Sequence, residues 1–185
     1  MNPFFFIHIP RTGGTAVRHT LQKYTAEDAF SNHLSATEMI AQAGEQLWKD
    51  RFTFSIVRNP YTRLVSLYRY IKGNSAHHLH KAANEHNTFV SFVQWIYSCE
   101  EPVFKTQKDF LCSMQGDILV DFVCRFESIH ADVRAICNKI GCPFDLPKGP
   151  ALVDIAPFYD DATILLVQKM FHDDFEIFGY MSLSH

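Results

Sequence analysis

No stretch of this chain approaches the roughly 18 consecutive apolar residues that a membrane-spanning helix needs, so a helical span is not expected. The opening Met1-Asn2-Pro3 carries no basic residue ahead of the first apolar run, which argues against a signal peptide and for a cytoplasmic protein. Basic charge is not in excess either: 17 Lys and Arg face 20 Asp and Glu, for a net charge of −3 and a pI near 6.3. That balance gives no general attraction to nucleic acid or to an anionic membrane, so any anion site has to be local. The five cysteines, at 99, 112, 124, 137 and 142, are odd in number and include no Cys-x-x-Cys, the pattern of reduced thiols. With only 8 Gly and 8 Pro and no linker-like cluster, collagen-like and disordered architectures are excluded, and residues 1–185 read as one domain. What the chain has in quantity is core material: 47% of its residues are apolar and 17 are Phe.

Residues 4–9 form a nearly unbroken apolar run closed by Pro10 and a glycine pair, the pattern of a strand buried on both faces and central in a parallel sheet. Val17, Leu21 and Tyr24 then recur at helical spacing, so strand, tight loop and helix follow in order. Ser35 and Glu38 fit a capping box for a helix reaching about residue 48. Residues 52–57 predict a second buried strand, and Asn59-Pro60 supplies the cap and first-turn proline of a helix to about residue 72. The polar, His-rich stretch 73–87 predicts a mobile segment, followed by a helix over 89–97. A third strand is expected over 119–124, a helix over 129–140 stopped by Gly141, and a last helix over 160–171. Strands alternating with helices define an α/β fold, a parallel sheet flanked by helices.

Two segments carry chemistry. His8-Ile-Pro-Arg-Thr-Gly-Gly-Thr15 lies between a buried strand and a helix, where inward amides and the helix N-terminus favour an oxyanion and Gly13 and Gly14 allow close approach. Thr12 and Thr15 add hydroxyls and Arg11 a guanidinium fork. The second segment, Arg58-Asn-Pro-Tyr-Thr-Arg-Leu-Val-Ser66, also sits at the carboxyl end of a strand, the edge where open α/β sheets bind ligands. Arg58 and Ser66, the latter two turns into the helix, could together hold one phosphate. The plainer alternatives are a glycine turn with a solvated Arg11 in the first segment, and an ion-paired Arg58 with a surface Ser66 in the second.

Together these segments resemble the sulfotransferases that use 3′-phosphoadenosine 5′-phosphosulfate, most closely the carbohydrate-type family of the heparan sulfate 2-O- and chondroitin enzymes. The resemblance extends to Val120-Asp-Phe-Val-Cys-Arg-Phe-Glu127, to Tyr159-Asp-Asp, and to Asp174-Phe-Glu-Ile-Phe-Gly-Tyr180, nearly end to end. It implies a P-loop-like sulfotransferase fold in which Arg11, Thr12, Gly13, Gly14 and Thr15 hold the 5′-phosphosulfate and Arg58 with Ser66 the 3′-phosphate. It also implies a hydroxyl-bearing acceptor, with a saccharide expected, and no obligatory metal. The family pattern has Lys where this chain has Arg11; a guanidinium can clamp a phosphosulfate but does not give up a proton, so its role is electrostatic. Family members place a His or Glu base ahead of the second loop, and Asn32-His33-Leu34 fits that place, with His33 able to take the acceptor proton at neutral pH.

His8, inside the apolar run, reads as a hydrogen-bonded core residue. His77, His78, His80 and His86 lack the partners and spacing of a zinc site; the family resemblance implies that this region lies toward the acceptor. Arg125 and Glu127 read as partners of each other or as props for the loops, and Lys148-Gly149 as an exposed turn or a cover over the nucleotide. Two other functions fit the pattern less well. A P-loop kinase needs a Lys after its glycine, whereas here Thr15-Ala16 follows the pair. A nucleotide-binding module without turnover would keep the loops and lose the base.

Overall fold

The computed structural model describes residues 2–25, 27–147 and 154–183. In chain order the elements are β1 (Phe4–Ile7), α1 (Gly14–Leu21), α2 (Ala36–Ala43), α3 (Glu45–Lys49), β2 (Phe52–Val57), α4 (Pro60–Gly73), α5 (His80–Glu85) and α6 (Phe89–Tyr97). There follow α7 (Gln107–Leu111), β3 (Phe122–Arg125), α8 (Ile129–Ile140), α9 (Asp161–Met170) and α10 (His172–Phe178). They divide into two compact units, the first made of the described residues of Met1–Arg58 and Gln107–Pro150, the second of those of Asn59–Thr106 and Ala151–His185.

The first unit holds a parallel sheet in the order β1-β2-β3, with Phe4 opposite Phe52 and Phe54 opposite Phe122. Because side chains alternate across a strand, Phe4 and Phe6 turn to one face and Phe5 to the other. On the first face Phe6 stacks on Phe54 at 5.0 Å, and both pack against Val17 and Leu21 of α1 and Val133, Ile136 and Ile140 of α8. On the second face Phe5 stacks on Trp48 of α3 at 5.6 Å. In the second unit, Leu64, Val65 and Ile71 of α4 join Phe92 and Ile96 of α6, Ile164 and Val167 of α9, and Phe175 of α10 in a separate core. The α4 start is as its sequence predicts: the Asn59 side chain accepts from the Tyr61 amide at 3.0 Å, and Pro60 fills the first turn.

Several expectations are corrected. β2, not β1, is the central strand; β1 is nevertheless buried throughout, because Phe30 bridges to Phe6 and the Ser31 amide donates to the Phe6 carbonyl at 3.1 Å along its other side. The helix expected over 35–48 breaks at Gly44, where φ of 89° and ψ of 146° leave the helical region, although the Ser35–Glu38 capping box forms. The third strand starts later than expected because residues 118 and 119 bond back to 111 and 112, with the Leu119 amide on the Leu111 carbonyl at 2.8 Å. The stretch 73–87 contains α5, held by Lys72 Nζ on the His86 carbonyl at 2.8 Å and by His80 Nδ1 on the Ile71 carbonyl at 3.0 Å. The helix expected over 160–171 forms as α9, capped by Asp160, and a further helix that was not expected, α10, follows it. Among the described residues no helix is long and apolar enough to cross a membrane.

Candidate active site

The candidate site grows from the carboxyl ends of the three strands of the first unit. Beyond β1 the chain turns through Arg11, at φ 69°, and Gly13, at φ 88°. Left-handed residues in such a turn bring successive amides to a common side, forming the concavity that anions occupy. Helix α1 then starts without a side-chain cap and without an acidic residue in its first turn, so nothing of opposite charge in that turn offsets its dipole. Gly13 is required by its φ of 88°, with a Cβ there also standing 3.0 Å from the Phe126 and Ile129 side chains, and Gly14 by space, since its Cβ would overlap the His8 ring.

Thr12 is fully buried and its hydroxyl donates to the Ile9 carbonyl at 2.9 Å, so this side chain shapes the loop, and its proton is not aimed at a ligand. Thr15 is exposed, with no hydrogen bond to its hydroxyl among the described residues. Arg58, at the end of β2, is 6% exposed; its Nη1 donates to the Arg11 carbonyl at 3.2 Å, and its guanidinium lies 4.0 Å over the Phe126 ring. One side chain thereby ties the end of β2 to the first loop and to the turn after β3.

Two positions that the sequence did not single out complete this arrangement. Gln107, fully buried, accepts from the Arg58 amide at 2.7 Å and donates to the Arg58 carbonyl at 2.8 Å, as a neighbouring strand would. Nothing in its sequence surroundings signals that role. Phe126 carries the contact surface of the Arg-Phe-Glu motif, while Arg125 and Glu127 beside it are exposed. Ser66 is half-buried on α4 of the second unit. Lys148-Gly149 lies outside the described residues.

His33 is exposed and, at φ 65°, takes a conformation that few residues with a side chain adopt. Its Nδ1 is 3.0 Å from the His8 carbonyl. A carbonyl only accepts, so Nδ1 carries the proton and the neutral ring keeps its lone pair on Nε2. The His8 ring lies 4.7 Å from that of His33 and stacks on Phe6 at 5.7 Å; burial first, then the charges of His33, Arg18 and Arg11, pull its pKa from 6.5 to about 4. His8 is buried as expected, but among the described residues its ring is held by stacking and not by the hydrogen bond expected from the sequence. Nearby, Arg18 Nη1 donates to Asn32 Oδ1 at 2.7 Å, fixing the residue before His33.

His77, His78, His80 and His86 belong to the second unit. His77 stacks on His78 at 4.8 Å, His78 Nε2 faces Glu101 at 3.2 Å, and His86 stacks on Trp95 at 5.1 Å. Among the described residues no three His, Cys, Asp or Glu side chains gather as a metal site would require.

A parallel sheet with an amide-lined, arginine-braced turn at its strand ends defines an α/β protein of the P-loop-like class. Within that class a model described as Sulfotransferase family matches residues 2–181, and the chain belongs to that family. An uncharacterized protein of Archaeoglobus fulgidus is 29% identical over 107 residues, 57% of this chain and 80% of that protein. No solved structure matches.

Proposed function

We propose that this chain moves a sulfuryl group from 3′-phosphoadenosine 5′-phosphosulfate to an acceptor hydroxyl, with His33 as the base. Membership of the family supports sulfuryl transfer, and the family's general use of this donor supports the choice of nucleotide. The donor set fits such a group: an uncapped helix N-terminus, a turn with two left-handed residues, and the guanidinium of Arg11. In this reading the turn from Arg11 to Thr15 holds the 5′-phosphosulfate. The 3′-phosphate is assigned from the sequence motif to Arg58 and Ser66. A saccharide hydroxyl is the acceptor that the carbohydrate-type resemblance suggests.

When bound, the nucleotide supplies an activated sulfuryl group and a stable phosphate leaving group. The chain's own part is to hold that anion, neutralise charge at the leaving phosphate through Arg11, and take the hydroxyl proton. Arg11 remains protonated throughout, so its contribution is electrostatic. The observation that carries the reading is the His33 hydrogen bond to the His8 carbonyl, which in the neutral ring puts the proton on Nδ1 and the lone pair on Nε2, on a residue two positions from the segment that flanks β1.

His33→Ala tests it. Affinity for adenosine 3′,5′-bisphosphate, measured by calorimetry, stays within about twofold, while sulfuryl transfer falls about 10²–10⁴-fold. Unchanged turnover on every active acceptor removes His33 from the mechanism, and nucleotide binding with no transfer by the parent protein on any acceptor favours a binding module.

A further inference from the structure

Resting on that reading, we infer that Arg18 is a positioning residue for the base: through Asn32 it ties the helix that starts at the anion turn to the segment that carries His33. Helix α1 begins in that turn, at Gly14, and Arg18 stands about one helical turn further along it. Its Nη1 donates to Asn32 Oδ1 at 2.7 Å, a short bond assisted by the guanidinium charge and made across 14 residues of chain. The same guanidinium lies 5.4 Å over the Phe30 ring. One half-buried side chain thereby holds the segment at two points, at buried Phe30 and at exposed Asn32, immediately before His33.

The backbone of His33 needs such a hold. Its φ of 65° is left-handed, a conformation that a residue with a side chain keeps only where its surroundings over-determine it, and residues so held cluster at functional sites. On one side of His33 the chain is fixed to β1, because the Ser31 amide donates to the Phe6 carbonyl at 3.1 Å and Ser31 Oγ accepts from the His8 amide at 2.8 Å. On the other side Ser35 is fixed as the cap of α2. Between these anchors His33 is held by its own ring, through Nδ1 on the His8 carbonyl, and by its neighbour, through Asn32 on Arg18. The ring reaches that carbonyl only while the backbone stays left-handed. With Asn32 released, the ring is free to leave the carbonyl, to take either tautomer and to turn Nε2 from the direction it needs. Arg18 acts in this through His33 and touches no reacting atom. A displacement of about 1 Å at a reacting group costs about 10²-fold in rate, which sets the scale of the effect.

The test uses the full chain and cuts the bond from both ends, with Arg18→Ala and with Asn32→Ala, while Arg18→Lys keeps a cationic donor. The first measurement is the ring nitrogen NMR spectrum of His33 at about pH 8.5, well above the ordinary histidine pKa of about 6.5, with the signals assigned by their loss in His33→Ala. The parent shows the Nδ1–H tautomer, both alanine variants show a mixture of tautomers, and Arg18→Lys returns toward the parent. A parent without the Nδ1–H tautomer, both alanine variants like the parent, or a change in only one of them overturns the inference, and this measurement needs no acceptor. The second is sulfuryl transfer to a desulfated heparin tetrasaccharide. Both alanine variants lose about 10–10²-fold in kcat, with KM for the donor and affinity for adenosine 3′,5′-bisphosphate within about twofold of the parent. Added to His33→Ala, Arg18→Ala lowers the residual transfer by no more than about twofold, because the group it positions is gone. An equal loss from Arg18→Ala in both backgrounds overturns the inference and makes Arg18 a direct contact of donor or acceptor. Transfer by His33→Ala at the parent's rate overturns the base reading itself, and leaves the link from Arg18 to His33 as a purely structural one.

Discussion

His8 is a titratable ring that the fold keeps neutral. Folded, its pKa sits near 4, against 6.5 for the free side chain, with burial as the first cause and the nearby His33, Arg18 and Arg11 adding to it. Between those two values the unfolded chain binds a proton that the folded chain refuses, so the unfolded state gains as pH falls. The stability contributed by keeping His8 neutral is complete above about pH 6.5 and is lost progressively toward pH 4, an amount on the order of 3 kcal/mol. Urea denaturation of the parent and of His8→Asn across this window checks it: the parent's stability drops more steeply with acid than the variant's. Equal slopes would mean that His8 gains its proton without unfolding. The same ring explains why Gly14 is a glycine, a constraint that the sequence shows as a motif but that only the packing against His8 accounts for.

At the scale of elements, the short helix α7 acts through one side chain. Gln107 pairs with both backbone groups of Arg58 and so extends β2 by one residue exactly where the strand order runs out of partners. Gln107→Leu strands a buried N–H and a buried C=O, each costing about 1–3 kcal/mol. Chemical denaturation should show that loss, and calorimetry with adenosine 3′,5′-bisphosphate should show weaker binding by the protein that remains folded, because Arg58 loses its anchor. A destabilised variant that binds normally would make Gln107 a purely structural residue. The local signals read well in the sequence: the Ser35 and Asn59 caps, the buried β2 pattern and the strand-loop-helix order at both loops all depend on near neighbours. The rest depends on distant ones. The burial of β1 at the edge of the sheet follows from its pairing with residues 30–31, the late start of β3 from residues 111–112, and the role of Gln107 from a residue 49 positions away. No periodicity in a window of a dozen residues contains that information.

At the scale of the whole molecule, the described residues form one core under the sheet and another among α4, α6, α9 and α10, and the family match runs across both. Of the candidate residues, Arg11, Thr12, Gly13, Gly14, Thr15, His33 and Arg58 lie in the first unit, while Ser66 lies in the second. A ligand that binds only the folded chain stabilises it by mass action, about 2.7 kcal/mol at a hundredfold excess over its dissociation constant. Adenosine 3′,5′-bisphosphate should therefore raise the melting temperature well beyond adenosine 5′-phosphate at the same concentration, because the second nucleotide lacks the phosphate assigned to Arg58 and Ser66. Hydrogen exchange at the amides of residues 13–16 should slow with the bisphosphate, since the uncapped start of α1 is where the 5′-phosphate is proposed to sit. Both effects should persist in EDTA, because the proposed site holds the anion through amides and guanidinium groups, and the loop has no Lys after its glycine pair to mark a metal-triphosphate cradle. Equal stabilisation by the two nucleotides would remove the 3′-phosphate assignment while leaving the first loop intact. Stabilisation that disappears in EDTA and returns with magnesium and a nucleoside triphosphate would replace sulfuryl transfer by phosphoryl transfer as the chemistry of this site.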